Sequence, residues 1–154
     1  MGDPGANYQY SGLTLSPHSW NKTVATIKRQ IDKICGHQFN SVLINLYRSG
    51  QDSNGWHSDD EPELEENPII ASFSLGATRR FRLRHKYRKD ILSYTFDLTS
   101  GSLLLMSGTT QKYWQHCLTK TKKNSRAADQ PDLQKGNNLL NKKKKPQPFC
   151  GLPI

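Results

Sequence analysis

Ile69-Ile70-Ala71-Ser72-Phe73-Ser74-Leu75-Gly76-Ala77-Thr78-Arg79-Arg80-Phe81-Arg82-Leu83-Arg84-His85 is the stretch on which the fold turns. Its first part is an apolar run that stops at Gly76. Its second part alternates Arg80, Arg82 and Arg84 with Phe81, Leu83 and His85. Alternation with a period of two is the strand period, because successive side chains leave a strand on opposite faces. The segment therefore predicts two strands, the second with one basic face. Working outward, Ser41 to Tyr47 is β-like, and so are Tyr8-Gln9-Tyr10, Tyr94-Thr95-Phe96 and Leu103-Leu104-Leu105-Met106. The last two are separated by the turn residues Thr99-Ser100-Gly101. On the N-terminal side the period changes. Trp20, Val24, Ile27, Ile31 and Ile34 recur every three or four residues, the stripe of an amphipathic helix. Ser16-Pro17 reads as its N-cap and first position and Gly36 as its C-cap, which predicts a helix over 17–35. One helix followed by several short strands with turn punctuation predicts an all-β core with a flanking helix (α+β), a β-sandwich or jelly roll with the helix packed outside.

The 154 residues are enough for one domain. Hydrophobic residues are 34% and mean hydropathy is −0.78, polar for a globular chain but not for its middle third. No run approaches the length of a membrane helix, and no charged start leads into an apolar segment. Cys35, Cys117 and Cys150 are three and widely spaced; they form neither a disulfide framework nor a CxxC zinc pattern, so an intracellular, reducing compartment is expected. The net charge of +9 suggests a nucleic-acid partner until it is located. Residues 119–145 hold nine cations against Asp129 and Asp132, which is seven of those nine charges. The excess thus sits in a tail, where a charge run is usually solvated. Periodicity stops after about Leu118, and Lys142 to Lys145 followed by Pro146 and Pro148 predict a disordered end, so the domain is expected over 1–118 and a basic tail over 119–154.

Trp56-His57-Ser58-Asp59-Asp60 is predicted as a loop after a strand. His57 and Asp59 are two residues apart, and in an extended segment they project to one side. His116 follows the later strand pair. Two imidazoles and one carboxylate can hold Fe(II) on one face and leave the other open. An H-x-D triplet also arises often by chance, and a polar loop with a hydrogen-bonded histidine accounts for it equally well.

Several blocks together are more specific. Asn40-Ser41-Val42-Leu43-Ile44-Asn45-Leu46-Tyr47-Arg48, then Trp56-His57-Ser58-Asp59-Asp60-Glu61-Pro62, then Pro68 to Arg79, then Gly101 to Met106 and Trp114-Gln115-His116 resemble, in order, the AlkB-like Fe(II)/2-oxoglutarate dioxygenases. Among these, the DNA and RNA alkylation-repair demethylases are most similar, over about Gly2 to Leu118. The resemblance implies a double-stranded β-helix (jelly roll). It implies iron held by His57, Asp59 and His116, 2-oxoglutarate hydrogen-bonded by Asn45 and Tyr47, and a flipped-out methylated base met by Asp60, Tyr8 and Tyr10. It also implies the chemistry: 2-oxoglutarate and O₂ yield succinate and CO₂, an N-methyl group of a base such as 1-methyladenine or 3-methylcytosine is hydroxylated, and the adduct sheds formaldehyde. The partner would be alkylated DNA or RNA, flipped or single-stranded to reach such a site. The chain would be a monomer, with no membrane and a nuclear location in keeping with repair. The residues alone leave alternatives: Asn45 as a satisfied core amide, Tyr47 as a rim tyrosine, Asp60 as a solvated acid, and Tyr8 and Tyr10 as packing residues. His18, His37 and His85 match no ligand position, and Cys117 reads as a space-filler. Arg79, Arg80, Arg82, Arg84, Lys86, Arg88 and Lys89 read either as a phosphate clamp near the pocket or as a solvated strand face.

One departure stands out. The family closes its core with a strand of the form Pro-Arg-x-Asn-Leu-Thr-Phe-Arg, whose arginines pair with 2-oxoglutarate, as a planar, permanently charged guanidinium suits a carboxylate. No such strand follows His116, and Arg126 is the sole arginine there. Asp129-Gln130-Pro131-Asp132-Leu133-Gln134-Lys135 can be encoded by codons that, read one base later, spell Ile-Asn-Leu-Thr-Phe-Arg. A one-base slip between about Lys120 and Ser125 would therefore account for the missing motif. The expectations are a core without its last strand and weak turnover. Two rivals remain: a catalytically inactive nucleic-acid-binding remnant of the fold, and a hydroxylase of protein or small molecules on the same scaffold.

Overall fold

The computed structural model describes residues 1–6, 8–10, 13–62, 64, 66–121 and 136–142. A short hairpin comes first, β1 (Tyr8–Tyr10) with β2 (Leu13–Leu15). The helix α1 runs over Lys22–Cys35, shorter than 17–35 at its start. Asn21, not Ser16, caps it: its side-chain oxygen accepts the Val24 N–H at 2.8 Å, satisfying one of the orphan donors of the first turn. Gly36 ends it as expected, at φ 61°, in the left-handed region that a side chain disfavours. Val24 and Ile31 are buried and Ile27 partly so, whereas Ile34 is exposed and Trp20 packs from the segment before the helix.

Strands β3 (Ser41–Tyr47), β5 (Ile70–Leu75), β6 (Arg79–His85), β7 (Tyr94–Leu98) and β8 (Leu103–Met106) lie where the period of two places them. Besides β2, three elements were not evident from periodicity: β4 (Asn54–His57), the short helix α2 (Thr110–Tyr113) and β9 (Trp114–Leu118). The strands form two antiparallel four-stranded sheets. Around β10 (Gly136–Lys142), one has the order β3-β10-β5-β8; the other is β4-β9-β6-β7. Two such sheets with one flanking helix are the jelly-roll arrangement. Between them lies the main core of Ile70, Phe81, Leu83, Leu98, Met106 and Leu118, with Leu43, Tyr47, Leu104 and Trp114 packed against it. The helix covers the outside of the first sheet through Val24 against Val42, and through Ile31 against Phe39 and Ala71.

The expectation of a core without its last strand is corrected. The backbone of Gly136–Lys142 lies between β3 and β5, with Asn138 opposite both Asn45 and Ser74. The reason is general to sheets: β3 and β5 each present a row of backbone donors and acceptors, and an extended segment inserted between them satisfies both rows at once. The segment Gly-Asn-Asn-Leu-Leu-Asn-Lys contains no proline to prevent it, and no arginine.

Candidate metal centre and cosubstrate face

Two adjoining strands of the second sheet set the first two candidate ligands. His57 and His116 are directly opposite in the β4–β9 pair, so their imidazoles rise on the same face, with ring centroids 4.2 Å apart. Between Asn54 and His57 the register slips by one residue, a β-bulge of the kind that re-aims a side chain. His57 is thus the last residue of a strand and not part of a loop. Its Nδ1 lies 2.7 Å from Gly55 O. A carbonyl can only accept, so Nδ1 carries the proton and Nε2 presents its lone pair, the tautomer a metal ligand requires. Asp59 follows two residues on and is buried, with one carboxylate oxygen 3.6 Å from His116 Nε2.

The turn that carries Asp59 is pinned from outside. The Asp59 N–H donates to Gln111 Oε1 at 3.0 Å, and Gln111, 1% exposed, is held in turn by a contact of its amide with Met106 Sδ. Ser58 Oγ donates to Trp114 O at 2.8 Å. Phe81 stacks on His116 with an interplanar angle of 22°. One ligand atom from each of His57, Asp59 and His116 falls within 4.8 Å of the others. Two imidazole nitrogens and one carboxylate oxygen, converging from two strands and a pinned turn, fit a divalent first-row metal of the iron type with open positions. Gln111, Phe81 and Gly55 escape sequence reading: a glutamine in a four-residue helix and an apolar strand residue carry no pattern that announces a role.

The other expected site residues take up distinct places. Asn45 and Tyr47 are half-buried on β3 of the facing sheet, on the same side as Leu43, toward the inter-sheet core. Asp60 is exposed beside Asp59 and bonded by Lys86 Nζ at 2.8 Å; the same ammonium donates to Gln111 O. Tyr8 and Tyr10 lie in β1, and their side chains fall outside the described residues.

The row of seven cations divides. Leu83 is the cross-strand partner of His116 and shares its face; Arg82 and Arg84, opposite Cys117 and Gln115, lie on the other face. There they stack over Trp56, with Arg84 Cζ 4.2 Å from its ring centroid. Arg80 pairs with Asp97 and Arg88 with Asp90. Arg80, Arg82 and Arg84 therefore sit on the face of β6 away from His116, and Lys86 is the cation of this row bonded to Asp60. Arg79 points inward and is buried. Cys117, under the arginines, has its thiol pushed up by burial, with Arg82 and Arg84 opposing, which makes it inert filler. No helix among the described residues is long and apolar enough to cross a membrane.

Comparison with known proteins agrees with this geometry. The family model of the 2OG-Fe(II) oxygenase superfamily matches residues 1–144, and the chain belongs to that superfamily, as an AlkB-like member. It is 47% identical over 121 residues to alpha-ketoglutarate-dependent dioxygenase alkB homolog 3 of Bos taurus, a match covering 73% of this chain and 42% of that protein. It is 41% identical over 128 residues to DNA oxidative demethylase ALKBH2 of Homo sapiens, covering 79% of this chain and 49% of that protein. The chain thus spans less than half the length of these relatives. The solved structure of OsALKBH1 superposes with a TM-score of 0.58 at 20% identity, covering 82% of this chain and 65% of that one, a likeness of fold.

Proposed function

We propose that the chain carries the catalytic centre of an Fe(II)- and 2-oxoglutarate-dependent demethylase of N-alkylated bases in DNA or RNA. The observation that carries this reading is the meeting of His57, Asp59 and His116 within 4.8 Å, in a chain nearly half identical to proteins named as dioxygenase and DNA demethylase. His57, Asp59 and His116 would hold the iron. Bound there with 2-oxoglutarate and O₂, iron supplies the oxidation that turns an N-methyl group into a hydroxymethyl group, which leaves as formaldehyde.

The protein's own part is positioning. The Gly55 carbonyl fixes the His57 tautomer, and Gln111 fixes the Asp59 turn. Asn45 and Tyr47, from the facing sheet, orient the cosubstrate toward the metal. Asp60 stands at the mouth with its charge balanced by Lys86 and would accept a hydrogen bond from an extruded base. Tyr8 and Tyr10 would line the approach. The substrate class, a nuclear location and a monomeric state belong to the same proposal. The test is to incubate the purified chain with Fe(II), 2-oxoglutarate and a single-stranded oligonucleotide carrying 1-methyladenine or 3-methylcytosine. Succinate and formaldehyde released in equal amounts support the reading; with iron bound and no turnover on any methylated strand, it fails.

A second reading has one observation in its favour. Strand β10 brings no arginine between β3 and β5, so a nucleic-acid-binding remnant without turnover is the rival. Such a chain would bind the oligonucleotide with or without iron and release no succinate.

A further inference from the structure

Arg79 is a buried cation that bonds no carboxylate among the described residues, although the Asp52 charge lies close enough to act on it. It begins β6, is 7% exposed and faces inward with Phe81 and Leu83. Its guanidinium donates to three main-chain carbonyls: Ser49 O from Nη1, and Asp52 O and Thr119 O from Nη2. These oxygens are neutral. The nearby Asp52 carboxylate is engaged by Arg48, which holds its two oxygens through its main-chain N–H, Nε and Nη2 at 2.7–3.0 Å. Arg79 Nε is buried and has no hydrogen-bond partner among the described residues. A buried guanidinium has five donors to satisfy, and a buried charge is tolerated where an opposite charge meets it.

Its position is as telling as its unbonded Nε. Arg79 Cζ lies 5.2 Å from the centroid of the Tyr47 ring, across the gap between the sheets. On its own strand it is two residues before Phe81, about 7 Å along the same face. Phe81 stacks on His116 of the metal centre. Tyr47, Arg79, Phe81 and His116 thus form a continuous line from the cosubstrate face to the metal. Beside the Ser49 and Thr119 carbonyls the chain closes tightly: a Cβ on Gly50 would stand 2.6 Å from Thr121 O, and Thr121 N–H donates to Gly50 O at 2.8 Å.

We infer that Arg79 is the cation that receives the far carboxylate of 2-oxoglutarate in this chain, beside Tyr47. The inference rests on the dioxygenase reading and deepens it. It assigns a carboxylate partner within the well-packed part of the fold, in a chain whose β10 supplies no arginine. A guanidinium held rigid by three carbonyls, with Nε–H to spare, is pre-organised for a carboxylate, so little side-chain entropy is lost on binding.

The test uses the full chain loaded with Fe(II) without oxygen, titrated in a calorimeter with 2-oxoglutarate and with 2-oxopentanoate, which has a methyl group where the far carboxylate stands. The wild type is expected to prefer 2-oxoglutarate by roughly ten- to a hundredfold, the range of hydrogen bonds to charged groups. Arg79→Gln is expected to remove that preference and leave 2-oxopentanoate affinity unchanged, with Arg79→Lys restoring part of it. Thermal midpoints of both variants check folding. Arg79 would be only a staple for the Ser49–Asp52 turn if Arg79→Gln weakened both acids alike, if Arg79→Lys failed to restore any selectivity in a folded protein, or if 2-oxoglutarate affinity did not move. Those results overturn the inference and leave the dioxygenase reading intact. A wild-type chain that holds iron but binds neither acid overturns both.

Discussion

The two sheets of this molecule are assembled differently, and the difference separates what is robust from what is exposed to change. The β4-β9-β6-β7 sheet draws all its strands from residues 54–118 and carries the candidate ligands His57 and His116 on its inner face. The β3-β10-β5-β8 sheet carries Asn45 and Tyr47 and is joined in its middle by a strand from residues 136–142. On the proposed function, metal binding would depend on strands close in sequence and on a turn pinned by Gln111, and cosubstrate binding on a sheet completed by a distant segment.

The largest effect should fall on the metal centre. His116→Ala is expected to lower iron affinity by at least roughly a hundredfold, more than loss of an outer partner costs, as measured by equilibrium dialysis. Unchanged iron binding would break the contrast at its root. Leu140→Pro probes the other sheet. It removes a ladder bond from a strand paired on both sides, which should cost about 2 kcal/mol in urea unfolding. An unmoved midpoint would remove β10 from the sheet. Gln111→Ala frees the Asp59 turn and should weaken iron roughly tenfold in the same dialysis.

Smaller effects sharpen the distinction between the inner and outer faces of the second sheet. Arg84→Ala should leave iron and 2-oxoglutarate affinities unchanged. If the outer face touches a phosphate, binding of a single-stranded oligonucleotide should lose about 0.7 from its log–log salt slope, equally for methylated and unmethylated strands. Smallest is an effect of acid. Arg48, bonded to the Asp52 side chain, holds its carboxyl down at about 2. A folded value below the ordinary 3.8 means that the stabilisation is complete above 3.8 and fades as pH falls toward about 2. Arg48→Met should lose that acid-sensitive part, seen as a flatter dependence of thermal midpoint on pH across this window.

How far the residues alone reached is clearest in β6. Alternation from Arg80 to His85 gave its extent and its two faces before any fold was known, because the strand period is local. The helix end at Gly36 was equally legible, but its start was not. Ser16-Pro17 and Asn21 are both competent caps, and it is Asn21 whose side chain accepts the Val24 N–H. The H-x-D pair and His116 were visible as residue types. Their meeting was not, since β4 is short, bulged and glycine-containing, and β9 follows a one-turn helix.

Sequence by itself determined the strand-rich core, the outer helix, the family blocks and the absence of arginine after Arg126. These follow from local periodicity and residue chemistry, which need no partner to be read. The tertiary structure decided that His57 faces His116 and that the basic face of β6 turns away from the metal. It also decided that Gly136–Lys142 enters the sheet between β3 and β5, and that Arg79 is buried against Tyr47, bonded to three main-chain carbonyls. Each depends on register and on which elements meet across the core, quantities set by pairing between residues far apart in the chain.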